Sequence, residues 1–85
     1  MRIRLKPPAD MLARDGEAIL LYADEAIRLD GVSAAIVELA AEPITLERLA
    51  EALEARFGAP EEASVLKATA AAARELAGRG VLLID

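Results

Sequence analysis

Fifteen carboxylates and ten lysine or arginine side chains carry nearly all the chemistry that these 85 residues have to offer. His, Cys, Asn, Gln and Trp are absent. Without imidazole or thiolate, the usual zinc sites and the nucleophile–base pairs of covalent catalysis cannot be assembled. Acid–base work by carboxylates needs a pair held in surroundings that separate their pKa values, and no pair of acids here sits in a stretch that reads as buried. The residue types therefore point to binding rather than catalysis, with no catalytic residue, metal ligand or cofactor to assign.

The charge is unevenly spread. Between Glu38 and Glu62 there are seven acids (Glu38, Glu42, Glu47, Glu51, Glu54, Glu61, Glu62) against Arg48 and Arg56, which accounts for the whole net charge of −5. The rest of the chain is balanced. An acidic middle with neutral flanks argues against a partner that presents a phosphate backbone. No apolar run approaches the roughly 20 residues that span a bilayer. The basic start Met1-Arg2-Ile3-Arg4-Leu5-Lys6 leads into Pro7-Pro8 and not into the apolar stretch of a signal peptide. With no cysteine to form disulfides, the expectation is a cytoplasmic protein.

Positioning falls to a single small domain, residues 1–85, with residues 1–10 read as an N-terminal arm. A chain this short buries only roughly 60–65% of the surface it exposes unfolded, so most apolar residues are needed inside. Aromatic residues are 2% of the chain, Tyr22 and Phe57, so Leu, Ile, Val and Ala must fill the core.

Three strands come first. Residues 11–14 precede Asp15-Gly16, a strong short-range hairpin signal. Residues 18–22 follow, almost wholly apolar, as a strand covered on both faces would be. After a turn at residues 23–25, residues 26–29 alternate, with Ile27 and Leu29 on one face and Ala26 and Arg28 on the other. That is the pattern of an edge strand.

The period then lengthens. Asp30 is placed to cap a helix over residues 31–41 with its carboxylate, burying Val32, Ile36, Leu39 and Ala40, and Glu42-Pro43 ends it. Thr45 caps a second helix, residues 46–57, with Leu46, Leu49, Leu53 and Phe57 on one face and Gly58 as its stop. Pro60 opens a third helix that runs to about residue 77. Residues 81–84 can return as a short strand.

This order, and the phrases Leu20-Leu21-Tyr22, Ile27-Arg28-Leu29-Asp30-Gly31, Ser33-Ala34-Ala35-Ile36-Val37-Glu38-Leu39, Leu46-Glu47-Arg48-Leu49 and Leu76-Ala77-Gly78-Arg79-Gly80-Val81-Leu82, resemble the PqqD family of precursor-recognition proteins. The likeness extends over about residues 10–84. It implies an α+β fold of winged helix-turn-helix type, a three-stranded antiparallel sheet followed by three helices. It also implies a non-catalytic module that captures the leader of a ribosomally made precursor peptide and delivers it to a modifying enzyme or a leader peptidase. Stand-alone members serve pyrroloquinoline quinone and lasso-peptide biosynthesis. In the lasso group a Tyr-x-x-Pro leader element docks between the third strand and the third helix. Of these pathways, the lasso type is favoured.

Carried onto this sequence, the leader-binding set is Tyr22, Glu25, Ala26, Ile27, Arg28 and Leu29 on the strand side. On the helix side it is Leu66, Lys67, Ala70, Ala71, Ala73, Arg74 and Ala77. An unpaired strand edge gives main-chain affinity, small alanines permit close approach, and Lys67 and Arg74 suit acidic leader residues. Each feature also has a plainer explanation. Alanine is the best helix former, exposed cations are commonly just solvated, and Glu47, Glu51 and Glu54 read as a wetted helix face.

Three other functions compete. A DNA-binding winged helix shares the fold, but Glu61, Glu62 and Glu75 oppose Lys67, Arg74 and Arg79 on the third helix. An acyl carrier protein needs Asp-Ser-Leu, and Ser33 lies between Val32 and Ala34. An adaptor docking through the Glu-rich helix is the third. The expected partners are a leader peptide and its enzyme, without nucleic acid or membrane, and the protein is expected to be a monomer or a weak dimer.

Overall fold

The computed structural model describes residues 1–61 and 63–85. Glu62, one of the acids in the charged window and part of the expected third helix, lies outside the described residues. The fold is α+β, with two antiparallel three-stranded sheets and three helices.

The first sheet is built from local pairing. Strand β2 (Asp10–Arg14) meets β3 (Glu17–Leu21) across Asp15-Gly16, whose φ values of 51° and 79° make the two-residue turn that suits strand twist. Strand β4 (Ala26–Asp30) then folds back on β3, with Tyr22 N–H donating to the Glu25 carbonyl at 2.9 Å. The order is β2-β3-β4, so β4 is an edge. Ala18, Leu20, Ile27 and Leu29 face the core. Ile19 and Leu21 face outward and are exposed. The apolar run of β3 is thus covered on one face, not two, because among the described residues no second layer lies over the outer side.

The second sheet corrects the reading of residues 1–10 as an arm. Strand β1 (Arg2–Leu5) is its centre, between β5 (Ile44–Thr45) and β6 (Leu82–Ile84). Alternation of Arg2 and Arg4 with Ile3 and Leu5 drives this placement: Ile3 is fully buried, whereas both arginines are exposed. The C-terminal strand therefore exists, and its partner is β1, not β4.

Helix α1 (Gly31–Leu39) starts where expected, but the Asp30 side chain makes no capping bond. Gly31, at φ 57°, instead donates its N–H to the Gly16 carbonyl at 3.1 Å, which ties the helix start to the hairpin turn. Helix α2 (Leu46–Phe57) is capped by the Thr45 hydroxyl, which accepts from Arg48 N–H at 3.2 Å. Helix α3 (Val65–Gly78) begins later than Pro60, because the Ser64 hydroxyl accepts from Lys67 N–H at 3.1 Å and sets the first turn there. Val32 and Phe57, expected inside, stay substantially exposed. One continuous core joins both sheets and all three helices, from Ile3 through Leu20, Ile36, Leu49 and Leu76 to Val81.

Candidate functional site

The edge of β4 is defined by alternation. Gly16/Gly31 and Tyr22/Glu25 are hydrogen-bonded at the two ends of the β3–β4 ladder. Counting inward, Ala18/Leu29 and Leu20/Ile27 are the pairs that exchange bonds. Ile27 and Leu29 therefore spend their main-chain groups on β3. Ala26 and Arg28 direct both N–H and C=O away from the sheet, and Asp30 directs its N–H the same way. Among the described residues, no backbone bond other than those of the sheet and of α1 reaches this side of β4.

The opposite edge is less open. On β2 the outward N–H of Met11 is taken by the Asp10 carboxylate at 2.8 Å, and Pro7-Pro8 lie just upstream. An edge donor satisfied by its neighbour's side chain is a poor place for another strand. β4 is the more receptive border.

Side chains around β4 are already engaged. Arg28 forms an ion pair with Glu17 on β3, which holds its guanidinium above the ordinary arginine pKa, first through the hydrogen bond and then through the opposite charge. Tyr22 is half-buried at the β3–β4 turn. Its hydroxyl donates to the Lys6 carbonyl at 2.9 Å, and the Lys6 ammonium stands 5.8 Å from the ring centre. Burial, and secondarily the charge of Glu25, raise the phenol above its usual pKa. Tyr22 thus clamps the segment between β1 and β2 onto the turn. Glu25 is exposed beside it.

On α3 the residues separate into two rows. Leu66, Ala70, Ala73 and Ala77 fall on one stripe at helical spacing, flanked by Lys67, Ala71 and Arg74. Leu66, Lys67, Ala71 and Arg74 are exposed, and Ala77 is half-buried against the core. Ala70 and Ala73 turn inward, at 8% and 0% exposure, and are core residues. The protein's own side chains fill the space that the sequence assigned to close approach of a guest. Ile27 and Leu29 are likewise core, so β4 offers its edge and its outer face only.

Sequence reasoning missed one feature. Val32, Leu53 and Phe57 with Val65, Thr69 and Ala72 line an open apolar pocket of about 260 Å³ between the start of α1, the end of α2 and the start of α3. Its signal was the helical stripe that carried Val32 and Phe57, read as core.

A family model described as coenzyme PQQ synthesis protein D (PqqD) matches residues 17–82. The chain belongs to the PqqD family. The match begins at β3 and ends in β6, so it contains the β3–β4 hairpin and all three helices. No curated protein and no solved structure matches the chain. A role as a precursor-peptide-binding partner goes with membership of the PqqD family, as does the character of a non-catalytic accessory protein. Among the described residues no group of His, Cys, Asp and Glu is arranged to hold a metal ion, and no helix is long and apolar enough to cross a membrane.

Proposed function

We propose that this PqqD-family protein holds the leader of a ribosomally made precursor by taking it as an additional strand on β4. It then presents the attached core peptide to a modifying enzyme or leader peptidase. The observation that carries the reading is the unpaired border of β4, with the C-terminal strand committed to the other sheet. Ala26 and Arg28 offer two donors and two acceptors, and Asp30 a further donor. Pairing of this kind reads backbone, so it tolerates varied sequences, while selectivity comes from side chains beside it. Leu66, Lys67, Ala71 and Arg74 on the exposed flank of α3 are the proposed side-chain contacts, with Tyr22 and Glu25 at the far end of the strand.

The energetics suit a carrier. Ordering a flexible leader consumes ~2–5 kcal/mol of the interaction energy. A net affinity of about 8 kcal/mol corresponds to a dissociation constant near 1 μM, tight enough to recruit and loose enough to release. The protein works in the cytoplasm, as a monomer or weak dimer, and without nucleic acid.

The pathway we favour is lasso-peptide biosynthesis. The family's own description, as a coenzyme PQQ synthesis protein, supports a second reading in which the chain escorts a quinone-cofactor precursor or another substrate of a radical enzyme. Genes adjacent to this one separate the two: a short precursor beside a protease and a cyclase means lasso, and a radical enzyme means the alternative.

Arg28→Pro tests strand addition. It deletes an outward N–H and leaves the bonds made by Ile27 and Leu29 intact, and proline is tolerated on an edge. The expected result is loss of binding of a labelled synthetic leader from the adjacent precursor gene, with the circular dichroism of the fold retained. An Arg28→Ala control removes the side chain alone. Unchanged affinity in Arg28→Pro would overturn strand addition at this edge.

A further inference from the structure

The second sheet carries a charge pattern that peptide binding at β4 does not use. Arg2 and Arg4 alternate with the core residues Ile3 and Leu5, and Lys6 continues the ladder by donating its N–H to the Val81 carbonyl at 2.9 Å. All three cations are exposed and fall on the outer face of β1. The ion pairs among the described residues join Arg14 to Asp15 and Arg28 to Glu17, so neither involves this row. In a molecule of net charge −5, three adjacent cations on one face reverse the local sign.

The counterpart lies on α2. Glu47, Glu51 and Glu54 are exposed on one stripe and are likewise outside both ion pairs. Like charges at this helical spacing repel, so the stripe gains from a cationic partner. The two rows agree in length: about 13 Å from Arg2 to Lys6 along a strand, and about 10 Å from Glu47 to Glu54 along a helix.

The rows also start from one corner and border one groove. Arg2 stands opposite Thr45 on β5, and Thr45 caps α2. Arg2, Ile44 and Arg48 line one depression, and Ile44, Arg48, Glu51 and Ala52 line the next. Because Ile44 and Arg48 belong to both, the groove is continuous from Arg2 on its basic side to Glu51 on its acidic side. Ile44 and Ala52 are half-buried and give it an apolar floor. A groove with one basic and one acidic wall is complementary to itself after half a turn, which is what a two-fold contact requires.

We infer that this groove is the contact surface for a second copy of the chain, with β1 of each copy lying on α2 of the other. Arg4, in the middle of one row, then meets Glu51, in the middle of the other, twice per dimer, and Ile44 and Ala52 lose water at the centre. The second copy fits because it brings both walls at once. At about 0.15 M salt charge acts over only about 8 Å, so the overall −5 of each copy counts for less than the rows in contact. The inference does not rest on strand addition. The groove is built from β1, β5 and α2, and β4 belongs to the other sheet, so both copies keep their open border.

Analytical ultracentrifugation of the full chain at that salt concentration, over a series of protein concentrations, tests the contact by charge exchange. The variants are Arg4→Glu, Glu51→Arg and the double variant, all at exposed positions, with circular dichroism as the check on folding. The wild type is expected to pass from monomer to dimer as concentration rises. Each single variant is expected to raise the dissociation constant at least tenfold. The double variant, and an equimolar mixture of the two single variants, are expected to return to within threefold of the wild type, since each puts opposite charges back in register. A wild type that stays monomeric throughout would overturn the inference and leave the groove to a different protein. Single variants that dimerise as the wild type does, or a dimer lost in Arg28→Pro, would place the contact elsewhere and overturn it equally. Leader binding at β4 would be unaffected by the first two of these outcomes, so failure here and failure of strand addition are told apart.

Discussion

Arg28 carries two separable roles, one through its backbone and one through its guanidinium. The backbone N–H and C=O face the open border, while the side chain lies on the outer face against Glu17. Arg28→Glu would place a third acid beside Glu17 and Asp30 without touching the pairing groups. We expect it to weaken leader binding about two- to fivefold, the size of an exposed charge interaction, and to lose that effect in high salt. Lys67→Glu on α3 should behave alike if acidic leader residues pass that flank. Titration of labelled leader at low and high salt checks both, and unchanged affinity in both would count against any charge selection by these two side chains. Tyr22 makes a different prediction. Its phenol is raised above the usual value near 10, so the fold favours the neutral form. The stabilisation is present below that pH and is lost as pH climbs through the raised value. Tyr22→Phe removes the bond to Lys6 and should cost about 0.5–1.5 kcal/mol at neutral pH. It should also flatten part of the stability loss above about pH 10, as read by urea unfolding of the two proteins side by side.

At the scale of elements, what was legible in the sequence was whatever local rules dictate. Asp15-Gly16, the Thr45 cap, the Leu46-Leu49-Leu53 stripe and the alternation of residues 26–29 each require only neighbours along the chain, and each appears in the structure. The features that were misread depend on distant partners. Arg2-Ile3-Arg4-Leu5 alternates as a strand should, but its pairing partners are residues 44–45 and 82–84, which proximity in sequence does not reveal. Likewise an apolar run such as residues 18–22 does not say whether a second layer will cover its outer face. The candidate site was half legible for the same reason: the edge strand followed from its own pattern, whereas the inward turn of Ala70 and Ala73 follows from packing against the rest of the core. A paired substitution makes the one-sided burial of β3 measurable. Ile19→Thr, on the exposed face, should change stability by no more than about 0.5 kcal/mol. Leu20→Ala, on the fully buried face one residue on, should cost about 2–5 kcal/mol. Chemical denaturation of both variants reads the difference, and equal costs would mean that the outer face is covered in solution.

The whole molecule behaves as one unit, because the two sheets and three helices contribute to a single core. Binding at the β4 edge is therefore felt by the complete fold, not by one hairpin. A ligand that binds only the folded form stabilises it by about 2.7 kcal/mol at one hundred times its dissociation constant. For a domain of this size each kcal/mol moves the melting temperature by roughly 4–8 °C, so a saturating leader should raise it by about 10–20 °C. Arg28→Pro, with its border closed, should melt at the same temperature with and without leader. The same scan separates peptide from nucleic acid as partner. With a net charge of −5 and Glu47, Glu51 and Glu54 exposed along α2, the molecule repels a phosphate backbone. Random-sequence duplex DNA added at low ionic strength, where charge attraction is strongest, should leave the melting temperature unchanged. A duplex-induced rise that vanishes with added salt would instead assign the exposed flank of α3, with Lys67, Arg74 and Arg79, to nucleic acid.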